Sequence, residues 1–226
     1  DTGDTEHVLD PNAQELELHA GDGIKDMVFF NSKKPGIRLV KVDSVTMKPL
    51  PNVRFEIRKV GGSYQKEFTT GLGGEIDLSK LEPGSYEVRE LAAPEGYLID
   101  DAVRVIQLNP DETAEFVFTN TPKPKLRLIK TSSDGTRLGG VHFRIAKIED
   151  GSHYWDRVTE AGTGEINIEN LEPGVYSVKE TATTADHILD VREYHVELFP
   201  GKTSTLTIEN QRRSGLTIRK TDKDTG

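Results

Sequence analysis

Cysteine is absent from the 226 residues, which excludes disulfides and thiolate metal sites. Exported domains of modest size often rely on disulfide staples. If this chain works outside the cell, another device must do that job. No apolar run approaches the ~18 residues needed to cross a bilayer, and no leader pattern follows Asp1. If the protein is exported, its targeting and anchoring parts are expected outside this sequence. Basic residues are in the minority: 29 Lys and Arg stand against 38 Asp and Glu, a net charge of −9. A nucleic-acid backbone would be repelled, and no Lys/Arg run offers a membrane surface a landing site. No phosphate-cradling glycine loop, nucleophile elbow or H-E-x-x-H occurs. No cofactor and no metal are expected. The six histidines, His7, His19, His142, His153, His187 and His195, lack helical metal spacing and read as surface residues. "DSVT" at 43–46 and "TDKDTG" at 221–226 have too few ligands for an EF-hand loop and read as solvated turns. Trp155, in "GSHYWD" at 151–156, is expected on a loop packed against its own domain.

What is present is repetition. "LEPGSYEVRE" at 81–90 recurs as "LEPGVYSVKE" at 171–180, and "NVRFEIRKV" at 52–60 as "GVHFRIAKI" at 140–148. "GGEIDL" at 73–78 matches "TGEINI" at 163–168, and "IRLVKVD" at 37–43 matches "LRLIKTS" at 126–132. The spacing is 88 to 90 residues throughout, the size of a domain rather than of a solenoid unit. The ends join the series: residues 7–31 resemble 97–120, and "LTIRKTDKDTG" at 216–226 resembles the opening of the other repeats. The expected division is the tail of one repeat at 1–34, whole repeats at 35–123 and 124–213, and the first strand of another at 214–226. The junctions "NSKKPG" 31–36, "NTPKPK" 120–125 and "NQRRSG" 210–215 read as short stiff linkers.

Within a repeat the segments are short, alternating and rich in Val, Ile, Phe, Tyr and Thr, with Gly, Pro and Asn/Asp turns between them. That pattern predicts an all-β antiparallel sandwich of about seven strands. Residues two apart on a strand share a face. Lys41 is in phase with Ile37 and Leu39, Lys130 with Leu126 and Leu128, and Lys220 with Leu216 and Ile218. On the closing strand, Asn120 is in phase with Phe116 and Phe118, Asn210 with Leu206 and Ile208, and Asn31 with Met27 and Phe29. On a middle strand, Glu90 follows Tyr86 and Val88, and Glu180 follows Tyr176 and Val178. Each of these polar residues points the way its apolar neighbours point.

An unpaired buried charge costs several kcal/mol, roughly, so three polar residues per small core need a reason. One reading is a buried Lys–Glu salt bridge capped by an amide, or strand-end residues whose tips reach water. The other is covalent. An apolar pocket lowers a lysine's pKa, which frees its amine as a nucleophile. A glutamate there can carry protons as acid and base. The amine would attack the asparagine carboxamide, ammonia would leave, and a side-chain amide would cross-link the strands.

At these residues each repeat resembles a CnaB-type domain, the stalk unit of Gram-positive collagen adhesins and SpaA-type pilins. The resemblance rests on "LVKVD" 39–43, "GSYEVRELAAPEGY" 84–97 and "FTN" 118–120 in the first repeat. The second gives "LIKTS" 128–132, "GVYSVKETATTADH" 174–187 and "IEN" 208–210, without the "APEGY" turn and without the Asp. The resemblance implies tandem seven-stranded sandwiches of the prealbumin-like, reverse Ig-like kind. It implies Lys41–Asn120 and Lys130–Asn210 isopeptide bonds assisted by Glu90 and Glu180. It also implies a structural stalk segment of a surface adhesin or pilus-associated protein, extracellular and cell-wall anchored. No activity beyond single-turnover self-crosslinking is expected. The expected partners are adjacent repeats of the same chain, and a host-surface ligand held by a domain outside this sequence. Asn31 and Lys220 would find their partners in neighbouring repeats. The absence of a "Y-P-K" motif favours an adhesin stalk over a major pilin. The alternative is a module that itself grips host matrix or glycan.

Overall fold

The computed structural model describes residues 6–8, 15–149 and 154–224. The chain divides into two compact units, one running to Thr121 and the other starting at Pro122. In the first, His7–Val8 (β1) pairs with Ser32–Lys33 (β2). The sandwich strands follow: Gly36–Asp43 (β3), Arg54–Lys59 (β4), Gln65–Thr69 (β5), Glu75–Leu78 (β6), Gly84–Ala92 (β7), Arg104–Leu108 (β8) and Thr113–Asn120 (β9). The second unit repeats the order with Lys125–Ser132 (β10), His142–Lys147 (β11), Tyr154–Val158 (β12), Glu165–Ile168 (β13), Gly174–Ala182 (β14), Glu193–Leu198 (β15) and Thr203–Asn210 (β16).

Each sandwich packs a three-stranded sheet, β6-β3-β9 or β13-β10-β16, against a four-stranded one, β5-β4-β7-β8 or β12-β11-β14-β15. The fold is all-β, as the alternating pattern predicts. Most pairings are antiparallel, but the first and last sandwich strands run parallel side by side, β3 with β9 and β10 with β16. Parallel neighbours need a long crossover; here the crossover is the rest of the domain. The core of the first unit is built on Ile37, Leu39, Phe55, Ile57, Tyr86, Val88, Leu108 and Phe118. The second unit mirrors it with Leu126, Leu128, Phe143, Ile145, Tyr176, Val178, Leu198 and Ile208. The recurring "LEPGxY" has a mechanism: Leu81 and Leu171 enter the core, while Tyr86 Oη donates to the Glu82 carbonyl and Tyr176 Oη to that of Glu172, both at 2.9 Å.

Several expectations are corrected. Residues 15–31 and 213–220 form no strand, so the in-phase reading of Asn31 and Lys220 is not realised. A strand's N–H and C=O groups need a neighbour, and none of the described residues supplies one there. The prolines of two junctions dock onto their own repeats: Leu81 N donates to the Pro35 carbonyl at 3.0 Å, and Leu171 N to that of Pro124 at 3.2 Å. Trp155 lies on a strand, β12, and its ring tilts against Tyr176 at 6.0 Å. It does pack on its own domain. His187 is buried, not on the surface, and Asp43 is a buried turn-former, not part of a solvated turn. His153, and the residues around it at 150–153, lie outside the described residues.

Two glycines hold the first strand in place. Gly74 (φ +73°) and Gly164 (φ +63°) accept hydrogen bonds from Lys41 N at 2.7 Å and Lys130 N at 2.8 Å. A β-carbon on Gly74 would sit 2.4 Å from the Lys41 carbonyl oxygen, and one on Gly164 would sit 2.8 Å from that of Lys130. The left-handed φ and the close approach both demand glycine. Gly74→Ala and Gly164→Ala should therefore each destabilise their domain by about 2–3 kcal/mol. Gly71→Ala, with nothing within 4 Å, should cost little. Urea unfolding of the three variants checks this.

Candidate functional site

The lysine, glutamate and asparagine of each repeat converge on one buried point. Lys41 and Lys130 have 0% exposure, and Glu90, Glu180, Asn120 and Asn210 are also buried. The lysines arrive from β3 and β10, following Ile37 and Leu39, or Leu126 and Leu128, on the inward face and preceding the buried Asp43 or Ser132. The asparagines arrive from β9 and β16, in a parallel register that sets Lys41 beside Phe118 and Asp43 beside Asn120. The glutamates arrive from the facing sheet, at the end of regular pairing on β7 and β14. There Phe55 pairs with Glu90 and Arg54 with Ala92, so Leu91 is a bulge. The second repeat bulges at Thr181 in the same way. Such a bulge re-aims the chain right after the glutamate and starts the loop that returns across the site.

In the first repeat Lys41 Nζ donates to Glu90 Oε2 at 2.8 Å and to the Thr119 carbonyl at 3.0 Å. Asn120 Nδ2 donates to Glu90 Oε1 at 2.7 Å. The glutamate thus bridges the two, and Asn120 Oδ1 is buried with no hydrogen-bond partner among the described residues. In the second repeat Lys130 Nζ donates to Asn210 Oδ1 at 2.6 Å. Asn210 Nδ2 donates to Glu180 Oε1 at 2.6 Å and to Thr183 Oγ1 at 2.8 Å. Lys130 Nζ also lies 3.0 Å from Glu180 Oε2, but off the angle of a hydrogen bond, so that oxygen is left unsatisfied. Phe55 and Phe143 wall the amines at 5.6 and 5.9 Å from ring centre to Nζ.

Burial lowers the pKa of both lysines; the adjacent glutamate pulls the other way and does not offset it. The neutral amine is therefore more accessible here than on an exposed lysine. Charged groups farther out differ between the repeats. Asp100 with Arg104 flanks the first site. Asp190 with Arg192 flanks the second, where Tyr194 Oη donates to Asp190 at 2.7 Å. The guanidinium and that hydroxyl hold Asp190 well below the usual carboxylate range against the effect of burial, and burial followed by the Asp190 contact pushes Tyr194 up to about 12.

The loop after the bulge is latched differently in each repeat. Tyr97 Oη donates to Asp43 Oδ2 at 2.8 Å, while Asp43 Oδ1 accepts from Val45 N and Thr46 N. Burial, then the Asp43 contact, raises Tyr97 to about 12. In the second repeat His187 stands where Tyr97 stands and Ser132 where Asp43 stands. His187 Nε2 is 3.0 Å from Ser132 Oγ, and its Nδ1 contacts Thr184 Oγ1 at 2.8 Å and Asp186 Oδ1 at 2.9 Å. The missing "APEGY" turn and the missing Asp are thus one coupled exchange. A comparison of the two repeats position by position carries that signal, and it also carries Thr183 opposite Ala93. Asn31 and Lys220 are exposed, and neither is brought to a lysine–glutamate–asparagine set.

Comparison with known proteins gives a family match over both sandwiches. The family described as the SpaA prealbumin-like fold domain matches residues 35–122 and 124–212. A collagen adhesin of Staphylococcus aureus is 26% identical over 194 residues, 72% of this chain; the chain spans 16% of that protein. Among solved structures, the shaft pilin SpaA of Lactobacillus rhamnosus GG is similar at 15% identity and a TM-score of 0.47, over 81% of this chain and all of the pilin. The minor pilin of Streptococcus agalactiae is similar at 17% identity and a TM-score of 0.39, over 82% of this chain and 99% of the pilin. The two family matches fall on the two sandwiches that carry the buried lysines, and the chain belongs to the SpaA prealbumin-like domain family.

Proposed function

We propose that this chain is a stalk segment of a Gram-positive surface adhesin or pilus-associated protein, and that each repeat locks itself with an isopeptide bond, Lys41–Asn120 and Lys130–Asn210. The observation that carries the reading is the twofold occurrence of a buried lysine, glutamate and asparagine, with the glutamate in contact with both partners. A buried ion pair is poor evidence of stability by itself. As a reactant set it has a purpose.

The chemistry balances within the site. Lys130 Nζ gives one proton to Glu180 and becomes a neutral amine. It attacks Asn210 Cγ, 2.6 Å being the distance from Nζ to the carboxamide oxygen. The Nζ–Cγ bond forms, and a second proton passes from Nζ through the glutamate to Nδ2. The Cγ–Nδ2 bond then breaks and ammonia leaves. Glu180 ends protonated and neutral beside a neutral amide, so the buried charge is gone. Glu90 serves Lys41 and Asn120 in the same way. No external substrate and no second turnover are involved, and the cross-link takes the place of the missing disulfides.

The topology supports a mechanical role. The bond would join the parallel first and last strands, so tension entering at Gly36 runs along β3 to Lys41 and leaves through Asn120. Everything between is bypassed. Closing a loop of about 80 residues also removes roughly 4–5 kcal/mol of unfolded-chain entropy, by analogy with a disulfide. We place the pieces at 1–34 and 214–226 in neighbouring repeats, with Asn31 and Lys220 as their halves of the same reaction. In support, Val8 pairs with Ser32 where Leu98 N meets the Thr121 carbonyl and Ile188 N that of Gln211. The setting is extracellular, with the anchor and the adhesive domain elsewhere.

Glu90→Ala and Glu180→Ala should each regain the mass of one ammonia and lower the melting temperature while the domain still folds. A retained cross-link in either would contradict the proton-carrier role. Asn120→Ala and Asn210→Ala keep the lysine–glutamate pair but cannot react. Under single-molecule pulling each should add one unfolding event that releases about 280 Å, or about 80 residues at ~3.5 Å each. The unaltered chain should give no such event from either repeat.

A further inference from the structure

The two sites hold their asparagines differently, and the difference traces to one side chain. Lysine and the carboxamide Nδ2 are both donors only. A productive approach therefore needs Oδ1 facing Nζ, and Nδ2 turned away onto acceptors. In the second repeat two acceptors hold Nδ2: Glu180 Oε1 at 2.6 Å and Thr183 Oγ1 at 2.8 Å. Oδ1 then meets Lys130 Nζ at 2.6 Å. In the first repeat Ala93 stands at the position of Thr183 and brings no acceptor. Among the described residues, Nδ2 has Glu90 alone, Lys41 turns to Glu90 and the Thr119 carbonyl, and Asn120 Oδ1 has no partner.

Building on the isopeptide reading, we propose that Thr183 is a further catalytic residue of the second repeat, grasping the leaving nitrogen of Asn210 and turning its carbonyl to Lys130, so that this repeat cross-links faster than the first. The threonine is well placed for this. It lies three residues after Glu180, just past the Thr181 bulge, on the segment that β14 feeds back over the site, and it is half-buried. Its hydroxyl accepts from Nδ2 in the starting amide, and its own proton is neither gained nor lost across the reaction. The charge-carrying work stays with Glu180.

The test follows the whole chain during cell-free synthesis. Samples quenched at intervals are digested, and the cross-linked peptides of each repeat are quantified by mass. The second repeat should close first. Thr183→Ala should slow it by about five- to tenfold, the effect of one lost hydrogen bond of about 1 kcal/mol, and Thr183→Ser should keep the original rate. An unchanged rate in Thr183→Ala would overturn the proposal, as would a Thr183→Ser variant as slow as Thr183→Ala. Should Thr183→Ala fail to fold, Ala93→Thr carries the test: faster closure of the first repeat supports the role, and no change overturns it. The underlying reading fails in a separate way, with no ammonia lost from either repeat of the unaltered chain.

Discussion

A lysine with no exposed surface, set between a glutamate and an asparagine, is the constraint around which each sandwich is arranged. Left as a charge in an apolar pocket, Lys41 or Lys130 would cost the domain several kcal/mol, roughly. Each neighbouring feature bears on that cost. Phe55 and Phe143 supply ring faces to the amine. The glycine turns at Gly74 and Gly164 fix the lysine backbone. The bulge after Glu90 and Glu180 brings the carboxylate level with the lysine and sends the chain back across it. The parallel pairing of first and last strands puts the amide within reach. Condensation would resolve the remaining conflict by turning a buried ion and a buried amide into one neutral linkage.

The same arrangement joins stability to mechanics. A sandwich pulled from its ends would ordinarily fail by shearing the β3–β9 ladder, whose hydrogen bonds are worth about 0.5–1.5 kcal/mol each. The proposed covalent tie, near the far end of both strands, would change the failing element from the ladder to a bond. The flanking latch closes the loop over the buried lysine site. It is made by Tyr97 and Asp43 in one repeat and by His187 and Ser132 in the other. Two residue pairs make one contact: a hydrogen bond closes the loop in both repeats, with different chemistry in each.

Much of this is legible in the sequence because strands have a period of two. Lys41, Asn120 and Glu90 each fall on the phase of their apolar neighbours, and the repeat supplies an independent second copy in Lys130, Asn210 and Glu180. The phase says which way a side chain points, but not what meets it. The burial of His187 is not legible, because it follows a turn and pairs only as an isolated bridge with Arg212, where no alternation marks an inward residue. Asp43 looked solvated because "DSVT" alone does not reveal that Tyr97, 54 residues on, closes over it. The role of Thr183 is not legible, because a threonine just past a bulge no longer follows the phase of the strand. At residues 15–31 and 216–220 the alternating pattern is present without a partner strand among the described residues, and the pattern alone does not make a sheet.

An intact mass of the purified chain decides whether the proposed cross-links form. Two isopeptide bonds would put the mass below that of the sequence by two molecules of ammonia, one for each complete repeat. A mass equal to that of the unmodified sequence would contradict the proposal and would leave two buried, unreacted ion pairs to be explained some other way.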